Sequence, residues 1–204
     1  MKILILVDVQ NDFMPGGRLE IKQADQIVPV INRIQKQFDL VVATQDWHPQ
    51  NHQSFASNHP GKKPFDRIQL QGTEQILWPD HCVQGSGGAA FHRDLETNRI
   101  AAIFRKGMNP EIDSYSGFYD NNHEISTGMS GYLSEKGATE VYFCGLASDI
   151  CVFHTIRDAI QEGFQAILIE DASQPLDPMN FIKMKEELTN WGAKIIHSSE
   201  ITAK

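Results

Sequence analysis

The stretch CGLASDICVFHT (144–155) carries two sulfurs in different settings. Cys144 falls inside the apolar run EVYFCG, where a cysteine behaves as a small hydrophobe. A helix capped by Ser148 would place Asp149, Ile150 and Cys151 in its first turn. A thiol there feels the positive end of the helix dipole, which favours thiolate. Unpaired backbone N–H groups at the same place can hold a developing oxyanion. Cys151 is thus a candidate nucleophile, the alternative being a cysteine packed under a sheet edge. Asp8, at the end of KILILVDV, either caps a turn or takes the thiol proton and returns it to a leaving group. Lys106 in FRKG is either a solvated lysine or the cation that keeps a neighbouring carboxylate and thiol charged.

A second set of residues suits a metal. In DWHPQNHQSF (46–55), Asp46 and His48 stand two apart, so an extended chain points them the same way. His81 in WPDHC (78–82) would complete two imidazoles and a carboxylate, a donor set for Zn, Fe or Mn with water in the open positions. His52 offers a further ligand. The competing reading is that these histidines are ordinary surface or hydrogen-bonding residues. Phe13, Trp78, Tyr115 and Phe118 lie near these motifs, and some of them are candidates for a flat apolar pocket rather than the core.

What must position these residues is legible in the hydrophobic pattern. Continuous apolar runs at 2–9, 40–45, 100–104, 140–145, 165–171 and 193–197 read as strands buried on both faces. Helical spacing predicts helices within 24–38, at about 126–136, from Ser148 to Gln161 and from Met179 to Trp191. Pro29 belongs in a first turn, which moves the start of the first helix later. The polar segment 46–98 is long for a loop and is either functional or holds small elements of its own. Strands alternating with helices predict an α/β fold of mostly parallel strands in one domain spanning 1–204. Ligands in such sheets sit outside the C-terminal strand ends. Asp8, Asp12, Asp46, His48, Lys106 and Cys151 all come after strands and so share that rim.

Composition narrows the class. The 204 residues carry a formal charge of −8, which argues against general binding to nucleic acid or an anionic membrane. The run Ile3–Val7 is too short for a signal peptide or a span. Three cysteines make no disulfide framework, so the expectation is a reduced, cytoplasmic chain.

Taken together, DVQNDF, TQDWHP, WPDHCVQG, FRKG, DSYSGFYDN and CGLASDICV resemble the nicotinamidase branch of the isochorismatase-like cysteine hydrolases. The resemblance implies a three-layer α/β/α fold with a six-stranded sheet of order 3-2-1-4-5-6. It implies a triad of Asp8, Lys106 and Cys151, metal ligands Asp46, His48 and His81, and one divalent ion, zinc before iron or manganese. It also implies a non-proline cis peptide at Leu146–Ala147 and an oxyanion hole from the N–H groups of Ala147 and Cys151. Phe13, Trp78 and Tyr115 become walls of the substrate pocket. The implied reaction is hydrolysis of nicotinamide to nicotinate and ammonia through a thioester, feeding NAD salvage, with pyrazinamide as a second substrate. The implied partner is that small molecule; self-association is left open. Two departures are visible: QGSGGAAFH (84–92) lacks the proline and acidic residue expected after WPDHCVQG, and Ser173 stands where a cysteine often follows Asp-Ala.

Overall fold

The computed structural model describes residues 1–201. Strand β1 (Lys2–Val7) lies at the centre of the sheet, and its five apolar residues Ile3 to Val7 are wholly buried. Each such side chain contributes about 1.5–3 kcal/mol by leaving water. Helix α1 (Ile27–Gln35) comes next, with a 3-10 turn (Ala24–Gln26) ahead of it. Pro29 is its third residue, where the missing N–H would have had no helical partner. Strand β2 (Leu40–Asp46) returns parallel to β1.

The segment 46–98 does hold small elements. Strands β3 (Arg67–Leu70) and β4 (Thr73–Ile76) form an antiparallel hairpin apart from the main sheet. Its turn residues Gln71 and Gly72 both have positive φ, the conformation of a two-residue hairpin turn. Strand β5 (Ile100–Lys106) then pairs with β2 at the sheet edge. Next along the chain are helix α2 (Met129–Glu135), strand β6 (Glu140–Leu146), helix α3 (Cys151–Gln161) and strand β7 (Gln165–Gln174). Helix α4 (Pro178–Asn190) is capped by Asp177, whose side chain accepts the Met179 N–H, with proline at the first helical position. Strand β8 (Lys194–Ile196) closes the sheet.

The order is β5-β2-β1-β6-β7-β8, all parallel. Without the hairpin this is the expected 3-2-1-4-5-6. Alternate residues of β1 feed two cores. Leu4 and Leu6 face a cluster with Ile27, Ile31 and Ile34 of α1, while Ile3, Ile5 and Val7 face Met129, Val152, Ile156 and Leu188 of α2, α3 and α4. Helices therefore cover both faces, giving three layers. Among the described residues no helix is long and apolar enough to cross a membrane.

Candidate active site and metal cluster

The C-terminal ends of β1, β2, β5 and β6 meet at one rim. Asp8 leaves β1 with φ +49, a left-handed turn that directs its carboxylate across to β2. There the Thr44 hydroxyl donates to Asp8 Oδ1 at 2.6 Å. Lys106, the last residue of β5, is 2% exposed. Its Nζ lies 2.9 Å from Asp8 Oδ2 and 2.8 Å from Asp46 Oδ1. The same ammonium donates to the Ser114 carbonyl at 3.0 Å and stands 3.5 Å from Cys151 Sγ. Apart from the Lys106 ammonium, Asp8 Oδ2 has no polar partner, so it is the oxygen of Asp8 placed to take a proton.

Charge balance in this buried cluster is set by the geometry. Burial disfavours charge on Lys106, yet Asp46 and Asp8 hold its proton well beyond the ordinary lysine range. Burial lifts the Cys151 thiol well above its usual value, with the Lys106 charge acting against the rise. Burial also raises Asp8, again opposed by Lys106. A thiol and a carboxylate both shifted upward beside one ammonium are suited to passing a proton between them.

Cys151 is the first residue of α3, not the third. The residue at the N-cap is Ile150, with φ −131 and ψ −89, and the Ser148 hydroxyl has no partner. The expected Ser148 cap is thus corrected. The N–H groups of Ile150 and Val152 both donate to the Ala147 carbonyl, which delays the helix start. Cys151 remains at the positive end of the dipole. The Leu146–Ala147 peptide is cis, as the resemblance implied. Cys144 is wholly buried in the core.

The metal-type residues also converge. Asp46 Oδ2 lies 3.1 Å from His48 Nε2 and 3.4 Å from His81 Nε2, and all three residues are buried. Both histidines engage their other nitrogen: His48 Nδ1 with the Gly107 carbonyl at 2.9 Å, His81 Nδ1 with the Pro79 carbonyl at 2.8 Å. A carbonyl only accepts, so each Nδ1 carries a proton and each Nε2 is the nitrogen turned toward Asp46, the one that can ligate an ion once it is deprotonated. Gly107 makes this approach by lacking a side chain: at φ +66, a Cβ would lie 2.3 Å from His48 Cε1. Burial works against the Asp46 carboxylate, but His48 and Lys106 hold it well below the usual range. The three donors fit a divalent cation.

His52 behaves differently. Its Nδ1 accepts the Ser54 N–H at 3.1 Å, which places its proton on Nε2. Nε2 is buried without a partner, and burial pushes this imidazole down to about 4. His52 groups with His48 and Asp113 rather than with Asp46 and His81.

Cys151 and the metal-type residues Asp46, His48 and His81 open on one cavity of about 380 Å3, its mouth included, walled also by Phe13, Trp78, Tyr115 and Ala147, while Asp8 and Lys106 lie buried behind Cys151 and Asp46. Phe118 is instead wholly buried in the core. Sequence reasoning missed Asp113, Gln75 and Leu176. Leu176 and Asp113 line the cavity, and Gln75, from the unforeseen hairpin, bonds Tyr115 and Asp113. The polar–apolar alternation of RIQL (67–70) and the Gln-Gly pair after it were the available signal for the hairpin; Asp113 opens the motif DSYSGFYDN, but its spacing gave it no role.

Comparison with known proteins places the chain in a family. Residues 2–200 match the family described as the isochorismatase domain. A nicotinamidase of Acinetobacter baylyi is 51% identical over 174 residues, covering 85% of this chain and 81% of the relative. A solved nicotinamidase–pyrazinamidase of Acinetobacter baumanii superposes with a TM-score of 0.96 at 45% identity, covering 98% of each chain. A pyrazinamidase of Pyrococcus horikoshii, solved in complex with zinc, gives 0.80 at 36% identity over 96% of this chain and 98% of its own.

Proposed function

The chain belongs to the isochorismatase family, and on that premise we propose that it hydrolyses nicotinamide to nicotinate and ammonia, accepting pyrazinamide as well. The observation that carries the reading is the position of Lys106, whose single ammonium reaches Asp8, Cys151 and the metal-type carboxylate Asp46. The A. baylyi relative is a nicotinamidase, which supports the same substrate.

In the proposed reaction the substrate ring lies between Phe13, Trp78 and Tyr115. Cys151 passes its proton to Asp8 and attacks the amide carbon through sulfur. The N–H groups of Ala147 and Cys151 receive the oxyanion. Asp8 returns the proton to departing ammonia, leaving a thioester at Cys151. Asp8 then takes a proton from water as the thioester is hydrolysed, and nicotinate leaves. Lys106 keeps Asp8 and the sulfur charged when each must be. Asp46, His48 and His81 would hold a divalent ion, which supplies a Lewis acid for the pyridine nitrogen and so fixes the ring. Zinc is the ion proposed, in line with the zinc complex of the P. horikoshii relative. His52 lies outside the proposed ligand set.

The test is ammonia release from nicotinamide by the wild-type protein and by Cys151→Ala. The wild type should release ammonia, and the variant should bind nicotinate but release none. An active Cys151→Ala removes the nucleophile assignment; a wild type inert on nicotinamide removes the function.

A further inference from the structure

Asp12 shares the rim with the site, yet the reaction above gives it no part. It is 6% exposed, and both of its carboxylate oxygens accept from backbone N–H groups: Oδ2 from Cys82 at 2.7 Å, Oδ1 from Arg18 at 3.4 Å. A turn residue does not need such burial, since a carboxylate out of water loses its hydration and recovers it only through good partners.

The Cys82 contact is the informative one. Cys82 comes directly after the proposed ligand His81 and takes a left-handed φ of +46. Its carbonyl accepts the His48 N–H at 3.0 Å, and the His48 carbonyl accepts the Gln84 N–H at 2.9 Å. The residue after one imidazole is therefore stitched to the backbone of the other, with Asp12 fixing its remaining N–H. On the far side, Gly88 leaves the room Asp12 occupies: a Cβ on Gly88 would lie 2.1 Å from Asp12 Oδ2.

We propose that Asp12 is a positioning residue for the metal cluster: by clamping the Cys82 N–H it sets the spacing of His81 relative to His48 and Asp46. This rests on the metal reading above and extends it to a residue that does not itself touch the ion. A hydrogen-bonding partner one shell beyond the ligands typically costs ~10–100-fold in metal affinity when removed.

The test is equilibrium Zn2+ affinity, measured on metal-stripped protein by competition with a chromophoric chelator. Wild type, Asp12→Ala, Asp12→Asn, Gly88→Ala and His81→Ala are compared, with thermal unfolding of each stripped protein. Asp12→Ala should bind Zn2+ ~10–100-fold more weakly. Asp12→Asn, which keeps an oxygen acceptor of the same shape, should lose less, and Gly88→Ala should weaken binding by displacing the carboxylate. An Asp12→Ala protein with lowered thermal stability but affinity within about twofold of wild type overturns the proposal, because the clamp is then structural only. If Asp12→Ala does not fold, Asp12→Asn and Gly88→Ala decide, and unchanged affinity in both overturns it. Wild-type protein without a His81-dependent Zn2+ site sinks the metal reading and this proposal together; normal wild-type binding with an unaffected Asp12 series sinks this one alone.

Discussion

Lys106 donates to Asp46 at 2.8 Å, so the ammonium of the proposed triad also neutralises the carboxylate of the metal cluster. Lys106→Met would leave Asp8 buried with no cation beside it and would take from Asp46 the cation it has besides the metal cluster. Breaking a buried ion pair from one side costs about 3–5 kcal/mol, because the remaining charge is stranded. Urea unfolding should show a loss of that order, together with loss of ammonia release. A stability change under about 1 kcal/mol, the range of exposed pairs, would mean that the shared ammonium contributes little.

Asp8→Asn keeps the shape and the Thr44 contact but cannot hold the thiol proton. The rate of ammonia release should fall at least ~10²-fold, the lower range for general acid–base catalysis. Unchanged thermal stability would place that loss in the chemistry. A near-normal rate eliminates Asp8 as the base.

Removing bound metal with a chelator should sharply weaken turnover, and Zn2+ should restore it. Pyrazinamide keeps the ring nitrogen of nicotinamide and should be hydrolysed; benzamide lacks it and should not. Equal rates on pyrazinamide and benzamide contradict an anchor at the ring nitrogen, whatever the ion. Recovery with Fe2+ or Mn2+ but not with Zn2+ would leave the anchor and correct the metal.

His154 gives the pH prediction, from a position outside the metal cluster. Burial, then the Arg157, Lys106 and His123 charges, push it down to about 3 in the folded chain. In the unfolded chain it takes a proton near ~6.5. Between these values the unfolded state binds the extra proton, so this contribution to stability is present above ~6.5 and is lost as pH falls toward 3. His154→Leu should flatten the acid limb of unfolding free energy by at most ~1.4 kcal/mol per pH unit. An unchanged acid limb would show that His154 does not govern it.

Most of the sheet and much of the site could be read from residue order. Buried parallel strands leave continuous apolar runs, and the polar residues just past their C-terminal ends gather on one rim. Asp8, Asp46 and Lys106 were found that way and do meet. The start of α3 was not legible: Ser148 has the right chemistry for a cap, but the chain turns at Ala147, whose carbonyl takes two N–H groups, and helical bonding begins later. The hairpin was hidden because both strands are half exposed and lack apolar runs. Asp113 reaches the cavity from a polar loop with no periodicity, and its hydrogen-bonding partner Gln75 is far from it along the chain.

That hairpin leads to the last prediction. The side-chain nitrogen of Gln75 lies 2.9 Å from the Tyr115 hydroxyl, 3.2 Å from Asp113 Oδ2 and 2.7 Å from the Ile76 carbonyl. The Trp78 indole N–H also donates to the Tyr115 hydroxyl, at 3.3 Å, so two pocket walls and Gln75 share one oxygen. Gln75→Leu removes one of these donors and leaves the buried Asp113 carboxylate with fewer partners. The proton-transferring groups stay in place, whereas the ring pocket loosens. Interactions equal in ground and transition states appear in KM alone, so KM for nicotinamide should rise several-fold with kcat little changed. A fall in kcat at constant KM would instead place the hairpin's effect on the reacting groups, through the Ser114 carbonyl that neighbours Asp113 and accepts from Lys106.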